Sequence, residues 1–114
     1  RALFPVLERL MPSVVIQKHA DRFTSGVPDF SVTWHGVTSW LESKRAPFRT
    51  RGIQNLTCRR LAKHGICFYI VFDVRTTRIV HPDHLAEWRE SGISSDDIEG
   101  RFEWVAHQIE MFHE

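Results

Sequence analysis

Hydrophobic residues near the start of the chain change from a helical to a strand spacing. From Ala2 to Met11 apolar residues recur every three or four positions, and Pro12 ends the pattern, which predicts a short amphipathic helix. Positions 14–16 are all β-branched and predict an irregular strand. The polar stretch at 18–22 predicts a loop.

Strict alternation of apolar and polar residues then predicts a β-hairpin. Residues 30–34 alternate, Gly36 interrupts the pattern, and residues 37–41 alternate again. His35 and Gly36 are expected to form a two-residue turn, so that the numbers of paired residues sum to 71.

The second half of the chain predicts two helices and two strands. A helix is expected from Thr50, as N-cap, to Gly65, as C-cap. It leads directly into the apolar run at 67–72, which is typical of a strand buried on both faces. Residues 78–81 predict a short strand, and one apolar stripe predicts a core-facing helix over 101–112. This order favours an α/β fold with a mixed sheet flanked by helices.

Length and composition set the limits of this fold. The 114 residues suit a single domain spanning 1–114, and 42% hydrophobic residues are ordinary for a globular chain. No apolar run approaches the roughly 20 residues that cross a bilayer, and residues 1–9 lack the pattern of a signal peptide. We therefore expect no membrane partner and a cytoplasmic location in a bacterium or phage-infected host, or a nuclear one in a eukaryote. Cys58 and Cys67 are interpreted as buried or idle thiols.

The formal net charge of +1 hides an asymmetry along the chain. Residues 1–82 carry 13 Lys and Arg against 5 Asp and Glu, whereas residues 83–114 carry 2 against 9. The first part could attract phosphates, and the second should not. The alternative is that the fold interleaves these charges.

The hairpin register places Asp29 opposite Glu42, at an end of the sheet that we expect to be exposed. Directly opposed residues have Cβ atoms about 4.5–5.5 Å apart, where two like charges repel unless a cation lies between them. Lys44 lies on the same side of its strand as Glu42, because strand residues alternate between faces. Carboxylates with water ligands suit Mg²⁺, for which Mn²⁺ can substitute. The alternative is a solvated hairpin end with an ordinary Glu-Lys salt bridge.

The sequence around these residues resembles the core of the PD-(D/E)xK nucleases. The segment GVPDF at 26–30 precedes the glycine-turn hairpin, and WLESK at 40–44 lies in its second strand. The resemblance covers about residues 23–72 and is closest to the virus-type replication-repair (VRR-NUC) branch and to Holliday-junction-resolvase-like phage nucleases. It implies a restriction-endonuclease-like fold.

The resemblance also implies a role for each matching residue. Asp29 and Glu42 would bind the metal, the main-chain carbonyl of Ser43 would add a ligand, and Lys44 would assist the attacking water. Gln54 matches a glutamine on the helix after the motif and would hydrogen-bond a metal-bound water or phosphate. Glu8, the only acid on the first helix, matches an acidic residue there and would be a further metal ligand. For both of these, a solvated helix face is the alternative.

A run of basic residues without one acid follows the motif. It extends from Lys44 to Lys63 and can neutralise phosphates without reading sequence. Phe48 or Trp40 could stack on an unpaired base. The alternative for any single basic residue is that it lies on a solvent-exposed face of a helix. The candidate nucleic-acid-binding residues are Arg45, Arg49, Arg51, Arg59, Arg60 and Lys63.

Other chemistry has little support in the sequence. The segment HPDH at 81–84 lacks the spacing and the second pair of a zinc site, so we interpret it as a strand end and a helix start. No nucleophile elbow, P-loop or dinucleotide fingerprint is present. The resemblance therefore implies a Mg²⁺-dependent deoxyribonuclease. The small size of the chain favours selectivity for junctions, flaps or nicks, and geometry and family together lead us to expect a homodimer. The rivals are a non-catalytic nucleic-acid-binding module and a phage-encoded protein-interaction or inhibitor domain.

Overall fold

A computed structural model of the chain describes residues 2–19, 27–47, 52–83 and 92–114. Within these ranges the elements in chain order are α1 (Leu3–Leu10), β1 (Val15–Lys18), β2 (Phe30–Trp34), β3 (Val37–Arg45), α2 (Gly52–His64), β4 (Ile66–Phe72), β5 (Thr76–Val80), β6 (Ile93–Ser94) and α3 (Ile98–Phe112). None of the helices in the described ranges is long and apolar enough to cross a membrane.

The six strands form one mixed sheet in the order β1-β2-β3-β4-β5-β6. Neighbouring strands are antiparallel except β3 and β4, which are parallel and are joined by the crossover through α2. A parallel pair needs such a crossover because its two strands run in the same direction. The predicted α/β class, with a mixed sheet flanked by helices, is confirmed.

Each face of the sheet carries its own core. On one face Phe30, Leu41 and Ile70 pack with buried residues of α1 and α3, which also pack on each other. On the other face Cys67 and Tyr69 pack beneath α2. Strand β4 alternates between the two cores, as expected for a strand that is buried on both faces.

Most elements occur where the sequence predicts them. Strands β1 and β5 and the start of α3 differ, and β6 was not predicted. Strand β5 begins at Thr76 because Asp73 donates its N–H to the Thr76 carbonyl at 2.8 Å, closing the turn that precedes it. The first residues of β5 are polar, although Thr77 is fully buried, so the hydrophobic pattern did not indicate where the strand begins. Strand β1 runs to Lys18, which was predicted as loop, because Lys18 pairs with Phe30. The predicted N-cap Thr50 and loop residues 20–22 lie outside the described residues.

The last helix begins earlier than the apolar stripe suggests. Asp97 is its N-cap, and its carboxylate accepts the Glu99 N–H at 3.1 Å. Capping adds a turn to the predicted span because an N-cap aspartate satisfies one of the first unpaired N–H groups. The predicted stripe faces the core, where Val105, Ala106 and Ile109 are buried.

The fold brings basic residues of the first part of the chain against acids of the last part. Arg9 of α1 forms an ion pair with Glu103 of α3, and Arg75 pairs with Asp96 at 2.9 Å. The alternative reading of the charge asymmetry, interleaving by the fold, therefore holds for these residues.

Candidate active site

Several strands start or end at one end of the sheet. Strands β1, β3 and β4 end there, and β2 and β5 begin there. Asp29 directly precedes β2, and Glu42, Ser43 and Lys44 lie near the end of β3. The predicted motif residues therefore meet at this end of the sheet.

The hairpin turn sets the register that places them. His35 and Gly36 have φ angles of 53° and 74°, as a type I′ turn requires. The strands pair as predicted, with Val32 opposite Ser39 and Phe30 opposite Leu41. Extending this register by one residue brings Asp29 opposite Glu42.

Asp29 is fixed from both neighbouring strands. Its carboxylate Oδ2 accepts the Ser43 N–H at 3.0 Å, and its carbonyl accepts the His19 N–H at 2.7 Å. Its side chain also forms a hydrogen bond with the side chain of Glu42. The two carboxyl groups are therefore in direct contact.

The structure corrects the expectation that both acids sit at an exposed sheet end. Only 2% of Glu42 is exposed, because α2 covers this face of the sheet. Burial, followed by the hydrogen bond with Asp29, raises the pKa of Glu42 to about 8. Lys44 opposes this shift through its positive charge. A buried carboxyl beside a second carboxyl keeps its proton unless a cation replaces it.

The α2 face holds further polar groups beside Glu42. Tyr69 is its neighbour on β4, and the Tyr69 hydroxyl donates to Asn55 Oδ1 of α2 at 3.3 Å. Cys58 of α2 also lies there, and a hydrogen bond from the Cys67 thiol lowers the pKa of Cys58 to about 7. Burial raises the pKa of Tyr69. These groups tie α2 to the sheet over the acids.

His19 lies on the same face of the sheet as the acids, although the sequence predicted only a loop there. Its main chain pairs with that of Asp29, its Nε2 lies 2.8 Å from Ser31 Oγ, and its ring lies 5.1 Å from that of Trp40. The register therefore forms a row of His19, Asp29, Glu42 and Tyr69 across four strands. This row depends on which strand pairs with β1, and no local sequence pattern indicates that pairing.

Other predicted site residues are not placed beside the acids. Glu8 is exposed on α1, which packs on the opposite face of the sheet. In the part of the chain that the structure describes, no three His, Cys, Asp or Glu side chains form a group that could hold a metal. Gln54 lies in α2, but its side chain, with Arg49 and Arg51, is outside the described residues.

The basic residues that can be described are on the surface. Arg45, Arg60 and Lys63 are exposed, whereas Arg59 of α2 pairs through Nε with Asp83 Oδ1 at 2.8 Å. Asp83 also donates its N–H to His81 Nδ1 at 3.1 Å. The acid of the HPDH segment is thus engaged with α2.

The donor set suits a hard divalent cation that keeps part of its water shell. Two touching carboxylates provide oxygen ligands, and Mg²⁺ commonly binds through one or two carboxylates plus waters. The N–H and C=O of one strand residue point to the same side, so the Ser43 carbonyl is directed towards the side of Asp29.

Comparison with protein-family models and with curated protein sequences finds no match. The resemblance to the PD-(D/E)xK nucleases rests on the motif residues of this chain. What the fold adds is the hydrogen bond between the side chains of Asp29 and Glu42 and the burial of Glu42 beneath α2.

Proposed function

We propose that this protein is a Mg²⁺-dependent endonuclease that hydrolyses DNA phosphodiester bonds. The observation that carries the proposal is the buried contact between the carboxyl groups of Asp29 and Glu42, with Lys44 beside them. Two acids held together inside a fold cost stability unless a cation or a shared proton compensates them. A site that holds a cation for chemistry accounts for that cost.

Each residue of the site has a task in this reaction. Mg²⁺ bound to the two carboxylates would activate a water molecule and offset charge at phosphorus. The Ser43 N–H and the hydrogen bond from His19 keep Asp29 in one position, so that little reorganisation is needed on binding. The ammonium of Lys44 would orient the attacking water and stabilise the charge that develops on the phosphate.

Exposed basic residues support a DNA substrate. Arg45, Arg60 and Lys63 are exposed and can neutralise phosphates without reading base sequence. We propose selectivity for DNA structure, such as junctions, flaps or nicks, because phosphate contacts by exposed basic residues carry no base-sequence information. A symmetric homodimer would present two sites related by a two-fold axis to two strands.

A cleavage assay with matched carboxylate-to-amide variants tests the proposal. Asp29→Asn and Glu42→Gln should abolish Mg²⁺-dependent cleavage of a labelled panel of duplex, flap, nicked and junction DNA. The control is Asp96→Asn, which changes an exposed acid far along the chain from the motif and should cleave at the parental rate.

The outcomes separate the rival functions. Binding of the DNA panel without any cleavage by the parent protein would favour a non-catalytic nucleic-acid-binding module. Neither binding nor cleavage would favour a protein-interaction domain. Parental cleavage by Asp29→Asn would remove the assigned site.

A further inference from the structure

A cavity of about 630 Å³ lies beside the candidate active site. It opens where β3 and β4 end and where α1 and α3 begin. Ligand sites commonly enclose about 300–1,000 Å³ and are mostly apolar with a few polar groups. The residues that matter for its chemistry are Lys44, Arg45, Phe72, Val74, Ile98 and Phe102.

The cavity combines an aromatic lining with positive charge. Phe72 and Phe102 lie edge to face with ring centroids 5.8 Å apart, and Lys44 and Arg45 line the side that belongs to β3. Aromatic surfaces stack on nucleobases, and cationic side chains contact the attached phosphates. One nucleotide presents both of these chemical groups.

The mouth of the cavity carries apolar side chains that the fold leaves in solvent. Val74 is 86% exposed and Ile98 is 43% exposed, and both line the cavity. A single exposed apolar residue needs no explanation, but two at the rim of an apolar cavity form a surface suited to an apolar ligand face.

Hydrogen bonds from a buried arginine hold the rim in place. Arg101, which is 6% exposed, donates to the carbonyls of Asp73 at 2.9 Å and Val74 at 3.2 Å, in the turn between β4 and β5. Asp73 Oδ1 in turn accepts the Val74 N–H at 2.7 Å. The turn that carries Val74 is therefore set before any ligand arrives, which lowers the cost of binding.

The cavity and the acids share a wall. Ser43 lines the cavity, and its N–H donates to Asp29 Oδ2 at 3.0 Å. Lys44 lines the cavity and also acts on the charge of Glu42. The cavity lies on the α1 and α3 side of the sheet and Glu42 lies on the α2 side, so a nucleotide whose base enters the cavity would reach the acids with its phosphate around the end of β3, where Lys44 and Arg45 lie.

We propose that this cavity receives one unpaired nucleobase of the DNA, next to the phosphate that is cut. The inference rests on the proposed nuclease function and names its substrate class: DNA with an unpaired nucleotide at the cleavage position. A base inside an intact duplex is stacked and paired, so that it reaches a pocket only after costly extrusion, whereas an unpaired base enters at little cost. Flaps and gapped junctions supply such a base.

An abasic scan measures whether a base occupies the cavity. Flap DNA is synthesised with one nucleotide at a time lacking its base, and affinity is measured in Ca²⁺, without cleavage. We expect about 10-fold weaker binding at one position only, because stacking of one base contributes on the order of 1–3 kcal/mol, where 1.4 kcal/mol is a factor of ten. That position should adjoin the bond that Mg²⁺ allows the protein to cut.

Protein variants assign the effect to the cavity. In Val74→Asp and Ile98→Asp the abasic penalty at that position should disappear. The charged side chain already keeps the base out of the cavity, so removing the base from the DNA costs no further affinity. Met111→Asp is the matched control, since Met111 is 59% exposed on α3 and does not line the cavity. It should keep the full penalty. Circular dichroism spectra of the three variants that match the parent protein confirm that folding is unchanged.

The results distinguish failure of this inference from failure of the nuclease proposal. One result is that the protein cleaves DNA while no single abasic position weakens binding, and another is that it does so while Val74→Asp keeps the full abasic penalty. Either result overturns the cavity as a base site, and the nuclease proposal stands. A single-position penalty that depends on Val74, without cleavage of any DNA, supports the base site and overturns the nuclease.

Discussion

Glu42 differs from the other described acids in its burial, and its pKa is raised. Among the acids of the described residues it alone is buried, and burial raises its pKa to about 8 from an ordinary value of 4.5. Between these two pH values the folded protein binds a proton that the unfolded chain has released. Stability without metal should therefore fall as pH rises from about 4.5 to 8.

Glu42→Gln should remove this pH dependence, because an amide does not ionise. We expect the variant to match the parent protein near pH 4.5 and to exceed it by on the order of a few kcal/mol above pH 8, both in EDTA. Urea unfolding at several pH values measures this difference. Glu114→Gln, at an exposed acid after α3, is the control and should follow the parent curve. Equal curves for Glu42→Gln and the parent protein would contradict the raised pKa.

Lys44 should contribute to the chemical step more than to binding. In the proposed reaction its ammonium would act on the attacking water or on charge that develops in the transition state, so Lys44→Ala should lose on the order of 10²–10³ in rate. Lys44→Arg should rescue poorly, because a guanidinium is planar, wider and does not release its proton. Single-turnover cleavage in Mg²⁺ gives the rate, and DNA binding in Ca²⁺ gives the affinity.

Lys63→Ala is the control for loss of one lysine charge outside the site, since Lys63 is exposed at the end of α2. It should weaken affinity slightly without a comparable loss of rate. If Lys44→Ala loses affinity and rate in equal measure, Lys44 anchors phosphate and has no separate role in catalysis.

At the scale of elements, α2 has two adjacent arginines in different environments. Arg59 pairs with Asp83, whereas Arg60 is exposed and forms no ion pair with another described residue. An exposed ion pair is weak, generally below about 1 kcal/mol, but it lowers the charge that a guanidinium presents to DNA. The two neighbours should therefore differ in their contribution to DNA binding.

Arg60→Ala should reduce the slope of log affinity against log salt by about one phosphate contact. Arg59→Ala should reduce it less, because its charge is already partly neutralised by Asp83. Asp83→Asn should make the slope steeper by releasing Arg59. DNA binding in Ca²⁺ over a range of salt concentrations measures all three slopes, and identical slopes would show that this side of α2 does not face DNA.

For the whole molecule, metal binding should be coupled to folding. The acids come from β2 and β3, which are also covered by α2, so the site exists only in the folded chain. A ligand at 100 times its Kd stabilises the fold by about 2.7 kcal/mol, which for a domain of this size raises Tm by roughly 10 °C. Mn²⁺ should produce this rise.

Asp29→Ala should show no such rise, whereas Asp96→Asn should respond like the parent protein. Differential scanning fluorimetry with Mn²⁺ and, separately, with the same concentration of K⁺ measures the effect. A rise in Tm that Asp29→Ala shares with the parent protein would place the metal elsewhere on the molecule.

Local patterns in the sequence determined the elements and the order of the motif. The type I′ turn at His35 and Gly36 fixes the hairpin register, because a two-residue turn leaves no freedom in pairing. The apolar run of β4 and the stripe of α3 predict buried elements for the same reason: burial along one element repeats with its own period. The contact of Asp29 with Glu42 follows from that register.

Only the tertiary structure decided what surrounds these acids. The burial of Glu42 depends on which face α2 covers, and the position of His19 depends on which strand pairs with β1. The cavity depends on α3 lying beside the ends of β3 and β4. Contacts between residues far apart in the chain are set by packing of whole elements, and such contacts leave no periodic trace in the sequence of either partner.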